Sequence, residues 1–185
     1  SKGNMALTAQ SQKLYSPEEY LVREESAETR SEYVDGVIVA MAGSSFAHQR
    51  ITTNVTVFLD SKLRKKGCHV LPTDMKVRVE SVNKFYYPDV TVVCNNPEFY
   101  KERKDTIVNP ELLIEVLSPK TEAADRGEKF FAYQTLSSLL EYVLISQDKH
   151  LVETFTKQSD GSWRYLATIG LDSVIDLQSV GAELS

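Results

Sequence analysis

The stretch Tyr87-Pro88-Asp89-Val90-Thr91-Val92-Val93, read together with Leu112-Leu113-Ile114-Glu115-Val116-Leu117, decides how this chain is read. Both runs are short, continuous and rich in branched residues, the pattern of strands buried on both faces of a sheet. Each carries one acid where an ionised carboxylate is costly unless a cation or hydrogen-bond donors compensate it. Two such acids brought together would also repel. A hard divalent cation is the usual compensation, and a lysine is the next.

Alternate residues of a strand share a face, so Asp89 lies with Thr91 and Val93, and Glu115 with Leu113 and Leu117. If the two strands are neighbours, the acids meet across a gap suited to Mg²⁺ or Mn²⁺, which take oxygen ligands. The backbone carbonyl of Val116 would be a third donor. Downstream, Asp125, Lys129 and Tyr133 recur every four residues and line one helix face. Lys129 is the best basic partner for the acids, although its spacing also suits an ordinary ion pair with Asp125 or a buried pair with Glu115. Glu32 precedes an apolar strand and is a candidate additional acid. His48 sits in the first turn of a helix, where it could orient a phosphate or hydrogen-bond an acid.

Around this centre the punctuation is clear. Ser16-Pro17-Glu18-Glu19 starts a helix that ends before Thr29. Tyr33 to Val39 reads as a hairpin turning at Asp35-Gly36. Gly43-Ser44-Ser45 caps a helix running to about Lys66, with an apolar stripe of Ile51, Val55, Phe58 and Leu59. Met75, Val77 and Val79 alternate with Lys76, Arg78 and Glu80, which predicts a strand with one wet face. A helix is expected over Ala123 to Ser138, with Phe130, Phe131, Tyr133 and Leu136 available to pack. Glu141 to Ile145 returns as a strand, Leu151 to Thr156 and Trp163 to Ala167 form a rear hairpin, and Val174 to Leu177 adds a short strand. The expected class is α/β: a mixed central sheet flanked by helices, with additional antiparallel hairpins.

Composition sets the bounds. The 185 residues carry a net charge of −5, with 42% hydrophobic and 25% charged residues. Those proportions suit one domain with a proper core. Residues 1–14 read as a flexible lead-in or cloning remnant, and 15–185 as a single domain. An acidic chain argues against passive coating of nucleic acid but not against an enzyme whose own acids bind metal. The basic clusters Lys62, Arg64, Lys65, Lys66 and Lys101, Arg103, Lys104 read as solvated helix ends and loops. Cys68 and Cys94 have no paired spacing, so a reducing cytoplasm is expected, and no stretch is long and apolar enough to span a membrane. A zinc site from His48, Cys68, His69 and Cys94 lacks a close ligand pair and is set aside.

The ordered set Ser31-Glu32-Tyr33-Val34-Asp35-Gly36, Met41-Ala42-Gly43, His48, Tyr87-Pro88-Asp89, Glu115-Val116-Leu117-Ser118-Pro119, Asp125 with Lys129 and Tyr133, then Glu141-Tyr142, resembles a large bacterial family. That family was long catalogued as a domain of unknown function and is described as candidate restriction endonucleases, similar in fold to the PD-(D/E)XK nucleases. The likeness runs from Tyr15 to Leu166. It implies a restriction-endonuclease-like fold and metal-dependent cleavage of phosphodiesters in nucleic acid, with DNA the expected substrate and a homodimer the expected assembly. Asp89 and Glu115 would hold Mg²⁺ or Mn²⁺ with Val116, Glu32 would be the additional acid, and His48 and Tyr133 would contact substrate. The lysine that the superfamily places two residues after the second acid is Leu117 here, and Lys129 would be its relocated counterpart. A fold retained for binding without catalysis is the competing expectation.

Overall fold

The helix start read from Ser16 forms as a reciprocal cap. The Glu19 N–H donates to Ser16 Oγ at 3.1 Å, and the Ser16 N–H donates to Glu19 Oε1 at 3.1 Å, so two otherwise orphaned donors are satisfied. From there the structure, a computed structural model, describes residues 13–185, so most of the expected lead-in, residues 1–12, lies outside the described residues. The first helix, α1, is Pro17–Ser26, followed by the hairpin β1 Ser31–Val34 and β2 Val37–Ala40. Its turn residues Asp35 and Gly36 take φ of 50° and 89°, the left-handed pair that a tight hairpin requires. Helix α2, Phe46–Leu63, is capped by Ser45 and closes through a 3₁₀ turn, Arg64–Lys66, at Gly67 with φ 76°, the left-handed stop that glycine allows.

The remaining elements are β3 Cys68–Leu71, β4 Lys76–Val79, β5 Lys84–Tyr86, β6 Val90–Cys94, β7 Thr106–Ile107, β8 Leu112–Val116, α3 Glu122–Arg126, α4 Glu128–Tyr133, β9 Glu141–Ile145, β10 Leu151–Lys157, β11 Trp163–Ile169, β12 Ile175–Leu177 and β13 Ala182–Leu184. They form a six-stranded sheet in the order β11-β10-β9-β8-β6-β3, a five-stranded sheet β2-β1-β5-β4-β7, and the pair β12-β13. Strands β8 and β9 run parallel, joined by the segment that holds α3 and α4, whereas β6 and β8 are antiparallel. The mixed α/β class and the rear hairpin stand as expected.

Pleat alternation sorts the core. Val90, Val92, Leu112, Ile114 and Val116 face Val55, Leu59 and Leu63 of α2, with Leu177 and Leu184 closing the end. Leu59 and Leu63 are wholly buried, each contributing about 1.5–3 kcal/mol. On the opposite face, Val93, Leu113 and Leu117 meet Val77, Val79 and Tyr86 of the five-stranded sheet, together with Ala132 and Tyr133 of α4. A third cluster joins Tyr20 of α1 to Tyr33, Phe85 and Tyr100.

Several expectations change. Strand β4 has no wet face: Lys76 and Arg78 are buried with Val77 and Val79. Their charges are met inside. The Lys76 amine reaches Asp105 at 3.2 Å, and the Arg78 guanidinium lies 4.4 Å from the Phe85 ring centre and 5.2 Å from that of Tyr100. Long apolar stems and ring faces make such burial tolerable. The helix expected over Ala123 to Ser138 is two short helices that meet at Gly127, whose φ −104° and ψ −91° break the ladder, and α4 ends at Tyr133. Phe130 packs against Tyr142, Phe155 and Trp163, but Phe131 is exposed. Cys68 and Cys94 are directly opposed on β3 and β6 and are joined as a disulfide, so their wide spacing in sequence hid a pairing made by strand register. That bond removes the cysteine argument for a reducing compartment. No helix among the described residues is long and apolar enough to cross a membrane.

Candidate active site

The register of β6 against β8 sets Val90 opposite Ile114, so one further step sets Asp89 opposite Glu115 on the shared face. Pro88 precedes Asp89 where the chain leaves β5 in one sheet and enters β6 in the other. The two acids therefore stand at the seam between sheets, and both are buried. Asp89 Oδ2 accepts from the Val116 N–H at 2.7 Å and lies 3.2 Å from His48 Nε2. That hydrogen bond raises the His48 pKa above its usual value, against the opposing effect of burial.

Glu115 is held differently. Burial pushes its carboxyl well above the usual range; Lys129 pulls it back, while Asp125, Asp89 and Glu32 push it further up. Its Oε1 is buried with no hydrogen-bond partner. Burial likewise raises Asp125 to about 6.

Lys129 projects from α4 into this group, with its amine 3.2 Å from Glu32 Oε1 and 3.4 Å from Asp125 Oδ1. Burial alone would depress its pKa, but Glu115, Glu32 and Asp125 outweigh burial and keep the amine protonated. It is not a surface lysine: its side chain is 10% exposed. Glu32 is fixed on its other side by the Tyr87 N–H, which donates to Oε2 at 2.8 Å. Two sheets and a helix thus converge, with Glu32 from β1, Asp89 and Glu115 from the six-stranded sheet, and Lys129 from α4.

Tyr133 departs from expectation. It is wholly buried, its ring 5.3 Å from that of Tyr86 and 5.5 Å from that of Tyr142, and it offers no surface for a substrate to touch. Its hydroxyl has no partner, nor has that of Tyr86 or Thr91. The Tyr133 hydroxyl borders the same carboxylates, since Glu115 and Glu32 both raise the Tyr133 pKa that burial has already raised, and Glu32 likewise raises that of Tyr86. His48, at 13% side-chain exposure, is close to solvent and to Asp89 together.

Asp125 was legible in the sequence only as a helix-face neighbour of Lys129; the structure adds it to the carboxylate group. Arg126 was not anticipated. Its guanidinium forks onto Glu153 of β10 at 2.7 and 2.6 Å, a bidentate pair that ties the short helix to the rear hairpin. No signal short of knowing the β9–β10 pairing would have joined those two residues.

The implied cation can be tested against these atoms. Among the described residues, no group of three or more His, Cys, Asp or Glu side chains is arranged to hold a metal. What is present is a pair of carboxylates with hard oxygen donors, one oxygen of which is buried and unpartnered. That fits an oxygen-ligated Mg²⁺ or Mn²⁺ completed by backbone and water better than it fits a nitrogen- or sulfur-ligated ion.

Comparison with known proteins agrees with the fold. A family model described as "Putative restriction endonuclease" matches residues 17–185. Two Synechocystis sp. proteins are similar: sll1609 is 33% identical over 164 residues, covering 89% of this chain and 93% of its own, and slr1290 is 36% identical over 168 residues, covering 90% and 86%. A crystal structure from Anabaena variabilis, described as a "putative nuclease belonging to DUF820", superposes with a TM-score of 0.72 at 16% identity over 89% of both chains, a likeness of fold. With nearly its whole length accounted for, the chain belongs to the Uma2 family of restriction-endonuclease-like proteins.

Proposed function

We propose that the protein is a metal-dependent endonuclease that hydrolyses phosphodiester bonds in DNA, with Asp89, Glu115 and the Val116 carbonyl holding Mg²⁺ or Mn²⁺. The observation that carries this is the buried, unpartnered Glu115 Oε1 opposite Asp89 and beside a buried ammonium. A protein that needed only stability would gain by replacing both acids with hydrophobes. The cation, when bound, supplies Lewis-acid polarisation of the phosphate and a more acidic water.

The chain supplies the rest. Lys129, held protonated, meets negative charge developing on the phosphoryl oxygens. Glu32 anchors Lys129 from the other sheet, and its second oxygen is fixed by the Tyr87 N–H, so the amine cannot swing away. His48, partly exposed, is placed to donate from Nε2 to Asp89 or to a phosphate oxygen. Tyr133 walls the carboxylates off from bulk water rather than touching substrate. The water oxygen bonds to phosphorus and gives up a proton to solvent, the bond to the 3′ oxygen breaks, that oxygen takes a proton from solvent, and a 3′-hydroxyl and a 5′-phosphate result.

The test is cleavage of plasmid and single-stranded DNA with Mg²⁺ or Mn²⁺ by the protein and by Asp89→Ala. Loss of activity by at least about a hundredfold in the variant is expected, the scale on which a transition-state electrostatic contact acts. Equal activity would place the chemistry elsewhere. A second reading keeps Lys129 with Glu32 and Asp125 as a structural ion pair in a nuclease fold without catalysis. The two acids already close to the amine favour it.

A homodimer is part of the proposal. Strand β11 is an edge strand and exposes Tyr165, Leu166 and Ile169, a surface that suits strand addition by a second copy. Light scattering at micromolar concentration would return twice the chain mass if so.

A further inference from the structure

Beside the amine of Lys129 lies a cleft of about 390 Å³, within the range of small-ligand sites. The five-stranded sheet supplies Val34, Val37, Val39 and Tyr86 to its lining, and α3 supplies Ala124. Glu32 and Lys129 are shared with the candidate active site. Asp35 and Glu128 also line it, both exposed and each 3.2 Å from the buried Lys84 amine that ties the hairpin turn to α4. This lining is unlike that of a phosphate site. Lys129 is the only cation among its described lining residues, at the end shared with the candidate active site, and Glu32, Asp35 and Glu128 outnumber it, so a phosphate held within the cleft itself would meet an excess of negative charge.

What the lining complements is a flat group with apolar faces and hydrogen-bond donors on its edge. The valines and the tyrosine ring offer a dry surface to a π-face, and the carboxylates, with lone pairs left over from Lys84, accept from amino groups. An extruded or unpaired nucleobase has that chemistry. Acceptor-only groups further select among bases: cytosine, adenine and guanine present exocyclic amines, whereas thymine offers only its N3–H, flanked by two carbonyl acceptors that a carboxylate repels.

We propose that this cleft receives an unpaired, amino-bearing base of the strand being cut, adjacent to the scissile phosphate, so that the preferred substrates are DNA with extruded or single-stranded nucleotides. The inference rests on the nuclease reading of the neighbouring carboxylates. It also gives the β1–β2 hairpin a role in selection, since that hairpin is the edge of its sheet and carries most of the apolar lining.

The experiment uses Asp89→Asn protein, to prevent cutting, with Mg²⁺ and fluorescently labelled duplexes that are fully paired or carry a single unpaired cytosine, unpaired thymine or abasic site. Fluorescence anisotropy should give an affinity for the unpaired-cytosine duplex about tenfold above that for the abasic duplex, the scale of one stacked and hydrogen-bonded base, with the thymine duplex in between because it stacks without the amine contact. Ala124→Trp, which fills the cleft from an exposed helix position, should level the four affinities. Glu128→Gln, which leaves the cleft open, should erase the preference for cytosine over thymine while keeping the preference for a base over none. Equal affinities for the cytosine and abasic duplexes, or a preference that survives Ala124→Trp in a variant with unchanged circular dichroism, would overturn the base site alone. Failure to bind any of the duplexes would overturn the nuclease reading as well.

Discussion

Replacing Lys129 by methionine removes the one cation that, among the described residues, is placed among Glu32, Asp125 and Glu115, and its distances set the scale of the effect. Its amine is 3.2 Å from one carboxylate and 3.4 Å from another. At an effective dielectric of about 20, each contact is worth about 5 kcal/mol before desolvation. The cost of burying the amine offsets much of this, and breaking one side of a buried charge pair costs about 3–5 kcal/mol in practice. The sign with pH follows from the carboxyls. Asp125 is already raised from 3.8 to about 6 by burial, and Glu115 is raised well above 4.5. Without Lys129 both rise further. A carboxyl raised in the folded state contributes stability below its unfolded pKa and loses it as pH climbs through the folded value. The variant should therefore lose about 3–5 kcal/mol at pH 8 but only about 1–2 kcal/mol at pH 5, below the value of about 6 to which Asp125 is raised. Urea denaturation at the two pH values, with the slope of the transition held as a check, reads this directly. An equal loss at both would mean that Lys129 contributes packing and no charge. No loss at pH 8 would mean that the amine lies outside the carboxylate group.

Three smaller perturbations separate the other features. Tyr133→Phe deletes a buried hydroxyl without a partner, so stability should change by less than about 1 kcal/mol and in the favourable direction; a larger loss would show that the hydroxyl binds a buried water or ion. The Cys68–Cys94 bond joins positions 26 residues apart. Opening it with dithiothreitol should cost about 3–4 kcal/mol by loop entropy, and an unchanged urea midpoint on reduction would refute the cross-link. His48, raised by Asp89, should titrate above 6.5 by proton NMR and return toward that value in Asp89→Asn. Its contribution to stability is present below 6.5 and lost as pH rises through the folded midpoint. A wild-type midpoint at or below 6.5 would leave no His48–Asp89 bond in solution.

Much of the fold was legible because local chemistry and tertiary need agree in most elements. The Ser16 cap, the Asp35-Gly36 turn and the Ser45 start of α2 all rest on backbone geometry that few residues satisfy, and all three form as read. Strand β4 misled because alternation reports charge, not exposure. Lys76 and Arg78 carry long apolar stems and find an acid and two aromatic rings, so a strand buried on both faces was written with polar letters. Gly127 gave no warning, since one glycine in a helical pattern is usually tolerated. At the candidate site, two acids in apolar strands were visible because their cost is local, whereas the closeness of Glu32 to Lys129 depends on one sheet packing against another. Tyr133 was placed on the right helix face, yet periodicity could not say that this face looks into the core and away from any substrate.

The path of the chain between the two main sheets has an evolutionary reading. It passes from one sheet to the other five times, between β2 and β3, β3 and β4, β5 and β6, β6 and β7, and β7 and β8. Such interlacing means that neither sheet is a detachable module that could be shuffled, duplicated or inherited alone. Insertions are accommodated most readily at the free ends of the weave, in the β1–β2 hairpin and the β10–β11 ribbon, where a loop lengthens without unthreading the rest.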